Sequence, residues 1–93
     1  MIRSFADRST ERLFRDDLCP ARWRSIKAVA IRKLDMVDAA TRLSDLRSPP
    51  GNRLEALQGD RAGQHSIRIN QQWRVCFRWS LDGPEAVEIV DYH

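Results

Sequence analysis

The chain predicts an α+β fold, with two N-terminal helices packed on a small antiparallel sheet. Three observations carry that prediction. Across residues 20–41, apolar side chains recur every three or four positions, the spacing of one helix face. Pro49-Pro50-Gly51 then breaks the chain and divides a helical half from a strand half. Beyond the break, short alternating runs are separated by tight turn sequences, the pattern of neighbouring antiparallel strands.

Residues 1–5 read as a short strand or an extended arm. Asp7 or Ser9 caps a helix through residues 10–15 that turns Leu13 and Phe14 inward. Leu18-Cys19-Pro20 ends it, and Pro20 suits the first turn of the next helix. On that second helix Trp23, Ile26, Val29, Ala30, Leu34 and Val37 form the core stripe. Arg22, Lys27, Arg32, Lys33 and Asp38 take the remaining faces. After the proline loop, strands are expected over 53–57, 65–69, 73–79 and 86–92, with turns at 59–63, 70–72 and 82–84. The third strand is the most regular: Trp73, Val75, Phe77 and Trp79 share one face, and Arg74, Cys76 and Arg78 share the other.

The 93 residues suit one domain spanning the whole chain. Ordinary hydrophobic content excludes a disordered chain. No run approaches the roughly 18 apolar residues of a membrane span. Met1-Ile2-Arg3-Ser4-Phe5 carries no apolar signal core, so the expected compartment is the cytoplasm, with no membrane partner. Cys19 and Cys76 lack metal-ligand spacing and read as two free thiols.

Net charge is +3, unevenly placed. Residues 53–78 hold five arginines against two acids, whereas residues 79–93 hold four acids and neither lysine nor arginine. A basic middle suits a phosphate backbone as partner, and a solvated surface equally. Arg68, Arg74 and Arg78 fall by parity on the sheet face away from the helices. There they either present forked donors to phosphates or pair with Glu55 and Glu88 across strands. Either way, Arg74 is expected to stand outside the core. His65 shares the apolar side with Ile67 and Ile69 and reads as a structural histidine. His93 can act as an acid or base near neutrality, and Tyr92 can stack on a base. Strict alternation sets Tyr92 and His93 on opposite faces, so both reach one cleft only where the strand twists or ends.

The segment from Pro50 through Asn70 resembles the middle of HigB-type toxins of the RelE/ParE superfamily. So do the following Gln71-Gln72-Trp73-Arg74-Val75-Cys76-Phe77-Arg78-Trp79, the ending Glu88-Ile89-Val90-Asp91-Tyr92-His93, and the opening Met1-Ile2-Arg3-Ser4-Phe5. The resemblance covers nearly the whole chain. It implies a toxin of a type II toxin–antitoxin pair that enters the ribosomal A site and cuts messenger RNA there without metal or other cofactor. It also implies a HigA-type helix-turn-helix antitoxin as partner, with the complex binding operator DNA.

Position by position, the resemblance makes Arg74 the catalytic arginine and Asp91, Tyr92 and His93 a functional C-terminal trio. Arg74 would stabilise the phosphorane, His93 would move the proton, Tyr92 would orient or stack on a base, and Asp91 would fix the local geometry. Arg53, Gln58, Arg68 and Arg78 would contact RNA. Two positions depart from the pattern: Gln58 stands where many relatives have lysine, and Glu55 where some have histidine. A ParE-like gyrase poison shares the superfamily fold without cutting RNA. A non-catalytic RNA-binding or regulatory module would keep the arginines without needing His93.

Overall fold

Helix α1 (Arg8–Asp16) starts where the Asp7 carboxylate accepts the Thr10 N–H, and it ends at Asp17 in the left-handed region. The structure, a computed structural model, describes residues 1–91. Leu13 is buried, while Phe14 is half-buried with its ring centroid 5.8 Å from that of Phe5.

The expected second helix is two elements. Residues Ala21–Ile26 wind as a 3₁₀ helix, and α2 (Lys27–Ala39) follows as an α-helix. A single i, i+3 pair, here the buried Trp23 and Ile26, fits either winding, so apolar spacing did not separate them. Lys33 is a second correction. It is buried, not on an outer face, because its ammonium donates to the side-chain oxygen of fully buried Asn52. Burial, then the neighbouring charge of Arg32, holds the Lys33 pKa below its ordinary value. The Asn52 amide donates in turn to the carbonyls of Leu46 and Ser48, so the proline loop is tied to α2 from inside.

The sheet runs in order β1 (Glu55–Ala56), β2 (Gln64–Arg68), β3 (Trp73–Ser80), β4 (Gly83–Asp91), every pair antiparallel. Strand β4 begins earlier than expected. The turn is only Leu81-Asp82, and Gly83 already pairs with Ser80. Pro84 is tolerated because its backbone faces the outer edge, where its carbonyl accepts the Arg3 N–H. Between Cys76 and Arg78 the register slips by one residue on β4, and Ala86 (φ 52°) absorbs the bulge. The face carrying Ile67, Val75, Phe77, Val87 and Ile89 closes one hydrophobic core with Ile2, Leu13, Trp23, Ile26, Ala30, Leu34, Val37 and Leu46. Trp73 meets Trp23 edge-on at 6.3 Å. Among the described residues, no helix is long and apolar enough to cross a membrane.

The outer edge of β4 does not face solvent as a bare ladder. The expected N-terminal arm lies along it, with Phe5 bridged in parallel to Val87. The Val87 N–H reaches the Ser4 carbonyl, and the Ala6 N–H returns to the Val87 carbonyl. One turn further on, the hydroxyl of buried Thr10 accepts the Ile89 N–H at 3.0 Å, joining α1 to a strand 79 residues away. Thr10→Val keeps the shape but strands that buried N–H. It is expected to cost about 1–3 kcal/mol in urea unfolding, whereas Thr10→Ser stays within about 1 kcal/mol of the parent. Equal stability of the Val variant and the parent would show that this bond does not hold α1 to the sheet.

Candidate functional site

The sheet face away from the helices holds Glu55, Ser66, Arg68, Arg74, Cys76 and Glu88, since the register sets Glu55 opposite Ser66, Ser66 opposite Cys76, Cys76 opposite Glu88 and Arg68 opposite Arg74. Arg74 stands outside the hydrophobic core, as expected, yet at 8% exposure it is buried on this outer face. A guanidinium survives burial only if its donors are met. The Nε of Arg74 donates to Ser66 Oγ at 2.8 Å, and Nη2 donates to the Arg53 carbonyl at 2.8 Å. Nη1 lies 2.9 Å from Glu55 Oε1. Among the described residues, partners on β1, on β2 and in the turn before β1 therefore help fix the plane of the fork.

Arg68 stands directly across from Arg74, a like-charge cross-strand pair that costs stability unless something offsets it. Glu55 offsets part of it. These three side chains, with Arg53, Asn70 and Gln71, line a cleft of about 280 Å³. The lining thus holds three guanidinium groups against one carboxylate. Among the described residues, the Arg53 and Arg68 side chains make no hydrogen bond or ion pair. A larger groove of about 410 Å³ lies at the β1 edge, lined by Leu43, Ser44, Arg47, Leu54, Ala56 and His65. It offers one guanidinium, so it is the poorer anion site.

The far half of the same face is covered. Residues Gly59–Arg61 form a 3₁₀ turn that lays Arg61 over the sheet. Its Nη1 meets Gln64 Oε1 at 3.0 Å and Glu88 Oε2 at 3.4 Å. Beneath lies Cys76, fully buried, its thiol pushed up to about 11 chiefly by burial, with the Arg61 and Arg74 charges opposing and Glu88 assisting. Cys19 and Cys76 are both free, as expected.

The profile of a family described as "RelE-like toxin of type II toxin-antitoxin system HigB" matches residues 3–93. The chain belongs to the HigB toxin family. It is 42% identical to "Toxin HigB-1" of Vibrio cholerae serotype O1, over all of this chain and 98% of that protein. It is 29% identical to "Endoribonuclease HigB" of Proteus vulgaris over the full length of both. Membership of a type II system implies an antitoxin as partner.

Of the residues the HigB resemblance singled out, the structure brings Arg74, Arg68 and Arg53 together in one cleft. Asp91 is exposed and pairs by register with Trp73 on the helix side, where its carboxylate accepts from the Gln72 amide at 3.1 Å. Arg78 lies elsewhere. Although Glu85 stands opposite it, its guanidinium leans over Gly63 (φ 90°), 2.8 Å from where a Cβ would sit. Glu55 and Glu88, its expected partners, are taken by Arg74 and Arg61. Gln58 is exposed beside the 3₁₀ turn and outside the cleft lining. Tyr92 and His93 lie outside the described residues.

Sequence reasoning missed Ser66, the Arg53 carbonyl and Arg61. Parity alone places Ser66 beside Arg74 once β2 and β3 are paired. The other two depend on turn geometry.

Two measurements follow from this arrangement. Arg74→Ala leaves Ser66, Glu55 and the Arg53 carbonyl without their donor, so urea unfolding is expected to show a loss of about 2–5 kcal/mol. Parental stability would mean the guanidinium is not held as described. At pH 8 a thiol reagent is expected to modify Cys19 in the native protein and Cys76 only on unfolding, because the buried thiol stays protonated. Arg61→Ala should speed Cys76 modification. Equal native reactivity of both thiols would contradict the cover.

Proposed function

We propose that this chain is a ribosome-dependent endoribonuclease that cuts messenger RNA in the A site without a protein-bound metal. It acts in the cytoplasm and is neutralised by a HigA-type helix-turn-helix antitoxin, and the complex binds operator DNA. Support comes from the family and from a relative named as an endoribonuclease. The observation that carries the reading is the cross-strand pair Arg68–Arg74 in a cleft with Arg53 and one carboxylate. Such a cleft favours an anion that shares its charge over more than one oxygen, as the two non-bridging oxygens of a phosphodiester do.

The chemistry suits these groups. A base removes the proton of the ribose 2′-hydroxyl, and that oxygen bonds to phosphorus. The bond from phosphorus to the 5′-oxygen then breaks as an acid returns a proton to the leaving oxygen. Negative charge grows on the non-bridging oxygens, and Arg74, already oriented, stabilises it without reorganising. Arg53 and Arg68 hold the backbone on either side, with Gln58 and Arg78 as outlying RNA contacts. His93 is assigned the acid–base role and Tyr92 the stacking of a base, while Asp91 holds the strand end through Gln72. The ribosome supplies the rest of the alignment.

The test compares translated and untranslated copies of one transcript after induction of the protein. Cuts within the translated copy alone are expected, and co-expression of a cognate HigA-type antitoxin should abolish them. Intact messengers with accumulating gyrase–DNA breaks would instead place the chain among gyrase poisons.

A further inference from the structure

The turn that leads into β1 does more than connect it. Arg53 sits at φ 46°, ψ 56°, a left-handed conformation ordinarily left to glycine or asparagine. Two turn bonds hold it there, from the Asn52 N–H to the Pro49 carbonyl and from the Arg53 N–H to the Pro50 carbonyl. Asn52 is fully buried and anchored to Lys33 of α2 and to the carbonyls of Leu46 and Ser48. This bend aims the Arg53 carbonyl at Arg74 Nη2, 2.8 Å away. Two further partners of Arg74, Ser66 and Glu55, come from strands whose place is fixed by the sheet register. Among these three contacts, the carbonyl is the one supplied by a segment outside the sheet. Its position therefore depends on the turn alone.

We propose that Arg53 is a positioning residue for Arg74 through its backbone: the left-handed turn, pinned by buried Asn52, sets the aim of the Arg74 guanidinium, while the Arg53 side chain separately binds RNA. A non-glycine residue at a strained position is explained by this double duty, because glycine would give the bend without the cation. The inference rests on the reading that Arg74 acts on the scissile phosphate.

The two duties separate in a series of variants that all lack the guanidinium but differ in tolerance for the left-handed region: Arg53→Gly, Arg53→Ala and Arg53→Val. Single-turnover cleavage is measured on programmed ribosomes, well below the lowest melting temperature of the series. The ¹⁵Nε–H resonance of Arg74 is recorded on the free full-length protein. All three should raise the half-saturating concentration alike, since each loses one cation. The maximal rate should fall in the order Gly, Ala, Val, with Val at least about tenfold below Gly, as loss of an oriented donor would give. The Arg74 resonance should keep its parental position in the Gly variant and shift or broaden in the Val variant. If Val fails to fold, the Gly and Ala variants carry the comparison. Equal maximal rates across the series with an unmoved Arg74 resonance would overturn the proposal. Parental cleavage by Arg74→Lys would instead defeat the reading of the site, while the resonance would still report whether the turn aims Arg74.

Discussion

A charged fork buried on the outer face of a sheet has to be met on every side, and that requirement shapes this protein. Leaving the Arg74 guanidinium unmet would cost several kcal/mol. Among the described residues it has partners on β2, on β1 and in the turn before β1, so satisfying it requires these segments to be correctly placed. The buried Lys33–Asn52 contact extends the same constraint to α2. The helical half and the cleft are thereby coupled through polar contacts as well as through the core.

Charge on the outer face is divided by this demand. Glu55 and Glu88 are each committed to one arginine, Arg74 and Arg61 respectively. Arg53 and Arg68 are left with a positive excess in the cleft, and Arg78 lies apart over Gly63. Arg68 opposite Arg74 is poorly placed for stability alone and well placed for a phosphate, which would relieve the repulsion by lying between them. Because Arg74 is held by protein partners before any ligand arrives, the proposed reaction would need little reorganisation as charge develops. The thiol of Cys76 is shielded by Arg61 and held protonated by burial.

Much of this was legible in the sequence, because alternation and turn residues are local signals. The α+β class, the N-terminal arm, the core face of β3 and the arginines of the opposite face all follow from spacing. What escaped depended on three-dimensional closure. Trp23 and Ile26 fit two helical windings, so the 3₁₀ segment was hidden. Lys33 sits in the apolar interior because of a partner 19 residues away. The burial of Arg74 required knowing that β1 would bring Glu55 alongside and that the turn would present a carbonyl. Parity also places Asp91 on the helix side, away from Arg74, so the terminal trio cannot be assembled around that arginine from alternation alone.

The central claim is that RNA is cut in the Arg53–Arg68–Arg74 cleft by an arginine already in position. It is tested most directly by a structure of the protein on a ribosome whose messenger carries a 2′-O-methyl group at the scissile nucleotide. The scissile phosphate is expected between Arg68 and Arg74, with Arg74 still bound to Ser66 and to the Arg53 carbonyl. A phosphate seated instead in the groove of Leu43, Arg47 and His65, or an Arg74 swung free of its partners, would contradict the account.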